Sequence, residues 1–155
     1  HYHFGNKDTL LEAIVARHMN EIMACRQTMI SNLDNKAIPT THDVAVILVT
    51  PLASFVSNNK QSGLWYLQLI ARLHSDKSQT LHTVSQRYQD QVLNPIQLLL
   101  HTSCAHLSAI QLSLRLSFAI HTLHQSACNW PMNEVELDLQ ATQLITFIAA
   151  GLDAK

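Results

Sequence analysis

Charge is scarce in this chain. Of its 155 residues, 14% are Asp, Glu, Lys or Arg, against 47% apolar. A monomeric helical protein displays more charge than that, so part of the apolar surface is expected to meet a partner. The 10 Lys and Arg residues nearly cancel the 11 Asp and Glu residues, leaving −1 with His neutral. That balance excludes a chain that is basic over its whole surface. A DNA contact then belongs to a small part of the chain or to a part outside it. Glycine (3) and proline (4) are few as well. All-β folds need many turns, so their scarcity predicts an all-α fold of long helices with short connections. The three cysteines, Cys25, Cys104 and Cys128, are odd in number and widely spaced. They make no disulfide framework, and reduced thiols in a cytoplasmic protein are the expectation. No apolar run reaches the ~18 residues of a membrane span. No membrane partner and no signal peptide are expected, and with His1 standing inside a motif the front of the natural protein is expected to lie outside this sequence.

Hydrophobic periodicity predicts about six helices. The first runs from about Asn6, a candidate N-cap after Gly5, to Ser31, with Leu10, Ala13, Ile14, Arg17, Ile22, Cys25 and Met29 at helical spacing. The second covers about Thr41 to Val56 on Val44, Ile47, Leu48, Leu52 and Phe55, with Pro51 expected to kink it. Asn58 to Gly63 reads as a polar connection, and Leu64 to His74 as a short third helix. The fourth runs from Lys77 or Ser78 to His101 with Pro95 bending it. The fifth spans about Ser108 to Ala127, and the sixth about Asn133 to Ala150, closed by Gly151.

The last two helices speak to assembly. Between Gln91 and Asn133 the single Lys, Arg, Asp or Glu is Arg115. The fifth helix carries one apolar stripe of Leu107, Ile110, Leu114 and Phe118, and another of Leu112, Leu116, Ile120 and Leu123. These lie on opposite sides, and a helix apolar on both sides is buried on both sides. The expectation is a homodimer in which the last two helices form a four-helix bundle with their symmetry mates. Leu112, Leu116, Ile120 and Leu123 are its expected contacts, with Leu137, Ala141, Leu144 and Ile148 of the sixth helix. A monomer core built from both helices is the alternative.

The start of the chain carries the most specific signal. His1-Tyr2-His3-Phe4-Gly5-Asn6-Lys7-Asp8-Thr9-Leu10-Leu11 resembles the end of the DNA-binding domain in TetR-like regulators. There a recognition helix ends in a Tyr-His-Phe segment, and a glycine, a small polar cap, Lys, an acidic residue and paired leucines open the next helix. The resemblance spans about a dozen residues. It implies a remnant of the helix-turn-helix domain with its connecting helix over residues 1–31, and a ligand-binding and dimerisation domain over 32–155. It further implies a one-component regulator, a repressor, that binds operator double-stranded DNA as a homodimer. Tyr2 and His3 would contact the DNA backbone, Lys7 a phosphate at a helix N-terminus, and His1 the groove-facing end of the recognition helix. Phe4 would belong to the core.

The resemblance also implies a small, largely apolar effector among the central helices, whose arrival shifts the helix that begins at Asn6. The expected lining is Phe55, Trp65, Tyr66, Leu69, Phe118, His121 and His124, with Arg115 as an anion anchor. For the aromatic residues core packing is the competing reading, and for Arg115 a structural ion pair. No cofactor is expected. His121 and His124 are three apart, and His101, Cys104 and His106 lie close together, yet no spacing fixes the third ligand that zinc needs. A metal-responsive regulator and a purely structural dimerisation module are the alternatives. An enzyme is not expected, since there is no Glu-x-x-His pair, nucleophile elbow or glycine-rich phosphate loop.

Overall fold

The computed structural model describes residues 7–33, 38–75 and 89–154, and among these every regular element is helical. Five α-helices follow one another: α1 (Lys7–Leu33), α2 (Thr41–Ser75), α3 (Asn94–Ser103), α4 (Ala109–Ala127) and α5 (Glu134–Asp153). A π-helical turn, Gln89–Leu93, leads straight into α3. Helix α2 is the central element, packed against α1, α3, α4 and α5. Its first half is buried almost all round, through Val44, Ala45, Ile47, Leu48, Val49, Leu52, Phe55 and Val56.

Local chemistry sets the boundaries. Thr40 and Asp43 cap α2 reciprocally: Asp43 N–H donates to Thr40 Oγ1 (3.1 Å), and Thr40 N–H to Asp43 Oδ2 (2.9 Å). Ser108 and Gln111 form the same box at the start of α4, and Asn133 Oδ1 accepts from the N–H groups of Val135 and Glu136 at the start of α5. Each box satisfies donors that a helix start leaves unpaired.

Two boundaries differ from the sequence reading. The expected second and third helices are one run, interrupted at Lys60 (φ 50°, ψ −129°) rather than by a polar loop. Gly63 makes this compact form possible: a Cβ there would meet Phe55 O at 3.1 Å and Val56 Cα at 3.2 Å. Asn59 Nδ2 donates to the Phe55 carbonyl (3.0 Å) and Ser62 Oγ to the Asn59 carbonyl (2.7 Å), serving acceptors near the break. Pro95 sits in the first turn of α3, directly after the π-helical turn, so the helical run continues through it. The expected start of that helix, at Lys77 or Ser78, lies outside the described residues, as do Gly5 and Asn6. Finally, α5 runs past Gly151 to Asp153, with Leu152 buried. Arg115 Nη1 donates to the carbonyls of Leu152 (3.0 Å) and Ala154, and Cys104 Sγ to that of Leu152 (3.8 Å). An arginine and a thiol thus serve the helix end expected of the glycine.

Pro51 is accommodated by a residue from another helix. Proline has no N–H to give the carbonyl one turn back, that of Ile47. Arg26 of α1, only 2% exposed, donates from Nε to Ile47 O (3.3 Å) and from Nη2 to Leu48 O (3.0 Å). This also explains a charge on the buried face of α1, alongside Val15, Ile22 and Met23. Leu10, Ala13, Ile14 and Arg17, which share the helical spacing, lie on the exposed side.

Two consequences follow for stability. Arg26→Met should cost about 1–3 kcal/mol, the range for a buried acceptor losing its donor. In a Pro51→Ala background, which restores an N–H for Ile47 O, the same change should cost on the order of 1 kcal/mol less. Urea unfolding of the four proteins measures the coupling, and identical costs in both backgrounds would refute the pairing. Gly63→Val should lower stability by about 1–3 kcal/mol through overpacking against backbone atoms; an unchanged melting curve would contradict the close approach.

Candidate functional site

A cavity opens between α1, α2 and α4. Helix α1 contributes Met19, Ile22 and Arg26; α2 contributes Leu52 and, beyond its break, Tyr66, Leu67 and Ile70; α4 contributes His124 and Ala127. Among the described residues the wall is apolar apart from Arg26, Tyr66 and His124. The cavity is small, about 20 Å³, room for about one water. A molecule of drug size needs the walls to part.

Arg26 and Tyr66 are held by the helices they face. Tyr66 Oη donates to the Val15 carbonyl of α1 at 3.0 Å. Burial pushes the Tyr66 phenol above its ordinary range, against the positive charge of Arg26, so the hydroxyl stays protonated and a donor. His18, Phe55 and Tyr66 pack edge to face around one another, with ring centroids 5.0–5.4 Å apart. Phe55 and His18 thereby support the Tyr66 ring from behind. Gln68 Nε2 donates to the Cys128 carbonyl (3.0 Å) and Cys128 Sγ to that of Leu67 (3.6 Å), fastening the second half of α2 to the end of α4.

Of the eight expected effector contacts, Tyr66 and His124 line this cavity. Phe55 is buried behind Tyr66 and Leu69 is half-buried against the core. Trp65 (63% exposed), Phe118 (65% exposed) and His121 face outward. His121 Nδ1 lies 2.7 Å from the Ser117 carbonyl of its own helix. Arg115 lies at the end of α5, occupied with the carbonyls described above. Arg26, Met19, Ile22 and Leu67 are lining residues that the sequence reading did not name. The signal for Arg26 was a charge in step with Met19 and Ile22, together with a proline in the helix opposite. The four expected DNA contacts lie outside what is described: His1, Tyr2 and His3 entirely, and Lys7 in its side chain.

The stripe expected at a dimer interface needs correction. Leu112, Leu116 and Leu123 of α4 and Leu137, Ala141, Leu144 and Ile148 of α5 are buried inside the chain, with Ile120 half-buried among them. They pack between the central helix, α4 and α5 within the chain. The opposite faces carry the exposed apolar residues: Ile110, Leu114 and Phe118 on α4, and Val135, Leu139 and Phe147 (66% exposed) on α5. Both helices are apolar on two sides, and periodicity alone does not say which side the subunit keeps.

Metal and thiol chemistry find little here. Among the described residues no group of three or more His, Cys, Asp or Glu side chains converges as metal ligands do. All three cysteines are free thiols. Burial raises the pKa of Cys104, helped by the charge of Asp153 and opposed by Arg115, and burial raises that of Cys128. Raised values work against a reactive thiolate. No described helix is long and apolar enough to cross a membrane.

The arrangement is a small, largely apolar cleft among the helices of an all-α bundle. No curated protein and no solved structure matches the chain significantly. The family described as "Tetracyclin repressor-like, C-terminal domain" matches residues 47–151. That stretch takes in most of α2, all of α3 and α4, and α5 through Gly151, so the chain belongs to the TetR family of transcriptional regulators through its C-terminal domain.

Proposed function

We propose that the protein is a TetR-like one-component repressor that binds operator DNA as a homodimer and releases it when a small, largely apolar effector enters the cavity between α1, α2 and α4. The observation that carries this reading is the placement of the cavity against α1. That helix leads directly from the aromatic segment around His1, Tyr2, His3 and Lys7, the proposed DNA contacts. A molecule that parts α1 from α2 therefore acts on the element that orients the DNA-binding segment. The effector must favour the released arrangement by a few kcal/mol to empty the operator.

The proposed dimer surface is the outer face of α4 and α5. Ile110, Leu114, Phe118, Val135, Leu139 and Phe147 are large, apolar and exposed, and two such helices with their symmetry mates make a four-helix bundle. Their exposure in the single chain matches the low charge content noted at the outset.

Native mass spectrometry of the purified protein, compared with the denatured sample, tests both parts. A dimer carrying an extra organic mass of a few hundred daltons per subunit, on the order of a drug-sized ligand, is the result expected of an effector-bound repressor. A dimer that acquires no ligand from any extract would favour a structural dimerisation module instead. A monomer would remove the two-headed repressor. The Phe118→Glu, Phe147→Glu double variant should be monomeric at concentrations where the parent is dimeric, with an unchanged helical circular dichroism spectrum, since neither side chain belongs to the subunit core.

A further inference from the structure

The exposed apolar residues of α4 and α5 are evenly placed about a common midpoint. The two helices are antiparallel neighbours: a short connection, 128–133, joins the end of α4 to the start of α5. Arg115, near the start of α4, reaches the Leu152 carbonyl at the end of α5 (3.0 Å). That contact fixes the level of one helix against the other. At about 1.5 Å of rise per residue, Phe118 stands about 4.5 Å and Phe147 about 7.5 Å from it, both towards the connection. Leu139 and Val135 stand about 20 and 26 Å away on the same side. Leu114 and Ile110 lie on the other side, about 1.5 and 7.5 Å away. The six exposed residues thus make a stripe about 33 Å long, whose midpoint falls within about 5 Å of both Phe118 and Phe147. Leu114 and Leu139 stand about 10 Å to either side of that midpoint, and Ile110 and Val135 about 16 Å.

We propose that two copies of the chain pair through this stripe in antiparallel register, about a dyad at the level of Phe118 and Phe147. Ile110 and Leu114 of one copy then lie against Val135 and Leu139 of the other. The proposal rests on the reading of the outer face of α4 and α5 as the dimer surface, and adds how the copies are set. A dyad across the stripe exchanges its two ends, so the equal spacings give every large apolar residue another to meet. Charge selects the same register. Glu134, Glu136 and Asp138 are exposed at the Val135 end. Lys60 pairs with Glu134, and among the described residues no cation pairs with Glu136 or Asp138. From Gln91 to Ala154 the one Lys or Arg is Arg115, engaged with carbonyls. A dyad along the helices would set the two acidic turns at the same level, facing each other. The antiparallel register parts them by about 33 Å, several Debye lengths at physiological salt. It lays each acidic turn beside the start of the other copy's α4, which carries no acid and whose helix dipole favours negative charge there.

Thiol cross-linking of the full chain tests the register, with a bismaleimide that spans about one interhelical distance, roughly 10 Å. Leu114→Cys and Leu139→Cys are made singly and together, and the parent controls for Cys25, Cys104 and Cys128. The double variant should give a covalent dimer joined between positions 114 and 139, as mapped by mass spectrometry of its peptides. Each single variant should stay unlinked, since its two new thiols lie about 21 Å apart along the stripe. Phe147→Cys, near the dyad, should link to itself. Leu139→Cys that links to itself, or a double variant that links no better than the singles, would overturn the antiparallel register and leave the dimer surface standing. A second measurement leaves the apolar stripe intact. Glu136→Gln with Asp138→Asn should weaken the dimer, followed by sedimentation, by about twofold or more, the loss of carboxylates at a helix N-terminus. A dimer that tightens or keeps its Kd would count against the register, because relief of facing acids belongs to the parallel pairing. A parent that sediments as a monomer would remove the dimer reading, and the proposal with it.

Discussion

The missing N–H of Pro51 shapes more of this molecule than any side chain does. Helix α2 is the element on which every other helix packs, and a proline in its buried half leaves an acceptor with no donor in its own helix. The donor comes from α1. Arg26 reaches across to Ile47 and Leu48, which fixes how far along α2 the first helix lies and brings a guanidinium into the interior. The cavity opens beside that guanidinium, and its polarity follows from a backbone hydrogen-bond requirement in the central helix. Tyr66 adds a second link from α2 to Val15, with Phe55 and His18 packed against its ring. The side chains that hold α1 against α2 are thus also polar groups of the cavity wall.

Much of the fold was legible in the sequence because helix burial follows spacing. Val44, Ile47, Leu48, Leu52 and Phe55 form the buried side of α2 as their periodicity requires, and the caps at Ser108 and Asn133 stand where the last two helices begin. The failures have physical causes too. The polar run from Asn58 to Gly63 looks like a loop because polar residues and glycine favour turns. Here its backbone stays helical save at Lys60, held by side-chain bonds from Asn59 and Ser62 and by the close approach at Gly63. Lys60 itself reaches Glu134 at 2.5 Å, near the start of α5, a contact between residues far apart in sequence that no local pattern contains.

The site was legible only in part. Tyr66 and His124 stand out in sequence as aromatic or polar residues amid apolar ones, and both line the cavity. Arg26 does not stand out, because an arginine on a helix of mixed character usually lies in solvent; only the proline on the facing helix gives its burial a reason. Arg115 drew attention as an isolated charge, and its isolation has a different origin. It ends a helix whose last carbonyls need donors.

The clasp at the end of α5 has a mechanical meaning. Cys104, following α3, and Arg115 of α4 both bind carbonyls of the same final turn, so three helices are pinned at one point while their apolar outer face remains continuous. Sliding of α3, α4 and α5 past one another is opposed at that turn. Helix α1, with 27 residues at about 1.5 Å of rise each, is by contrast a long lever, on which any tilt grows with distance from its pivot.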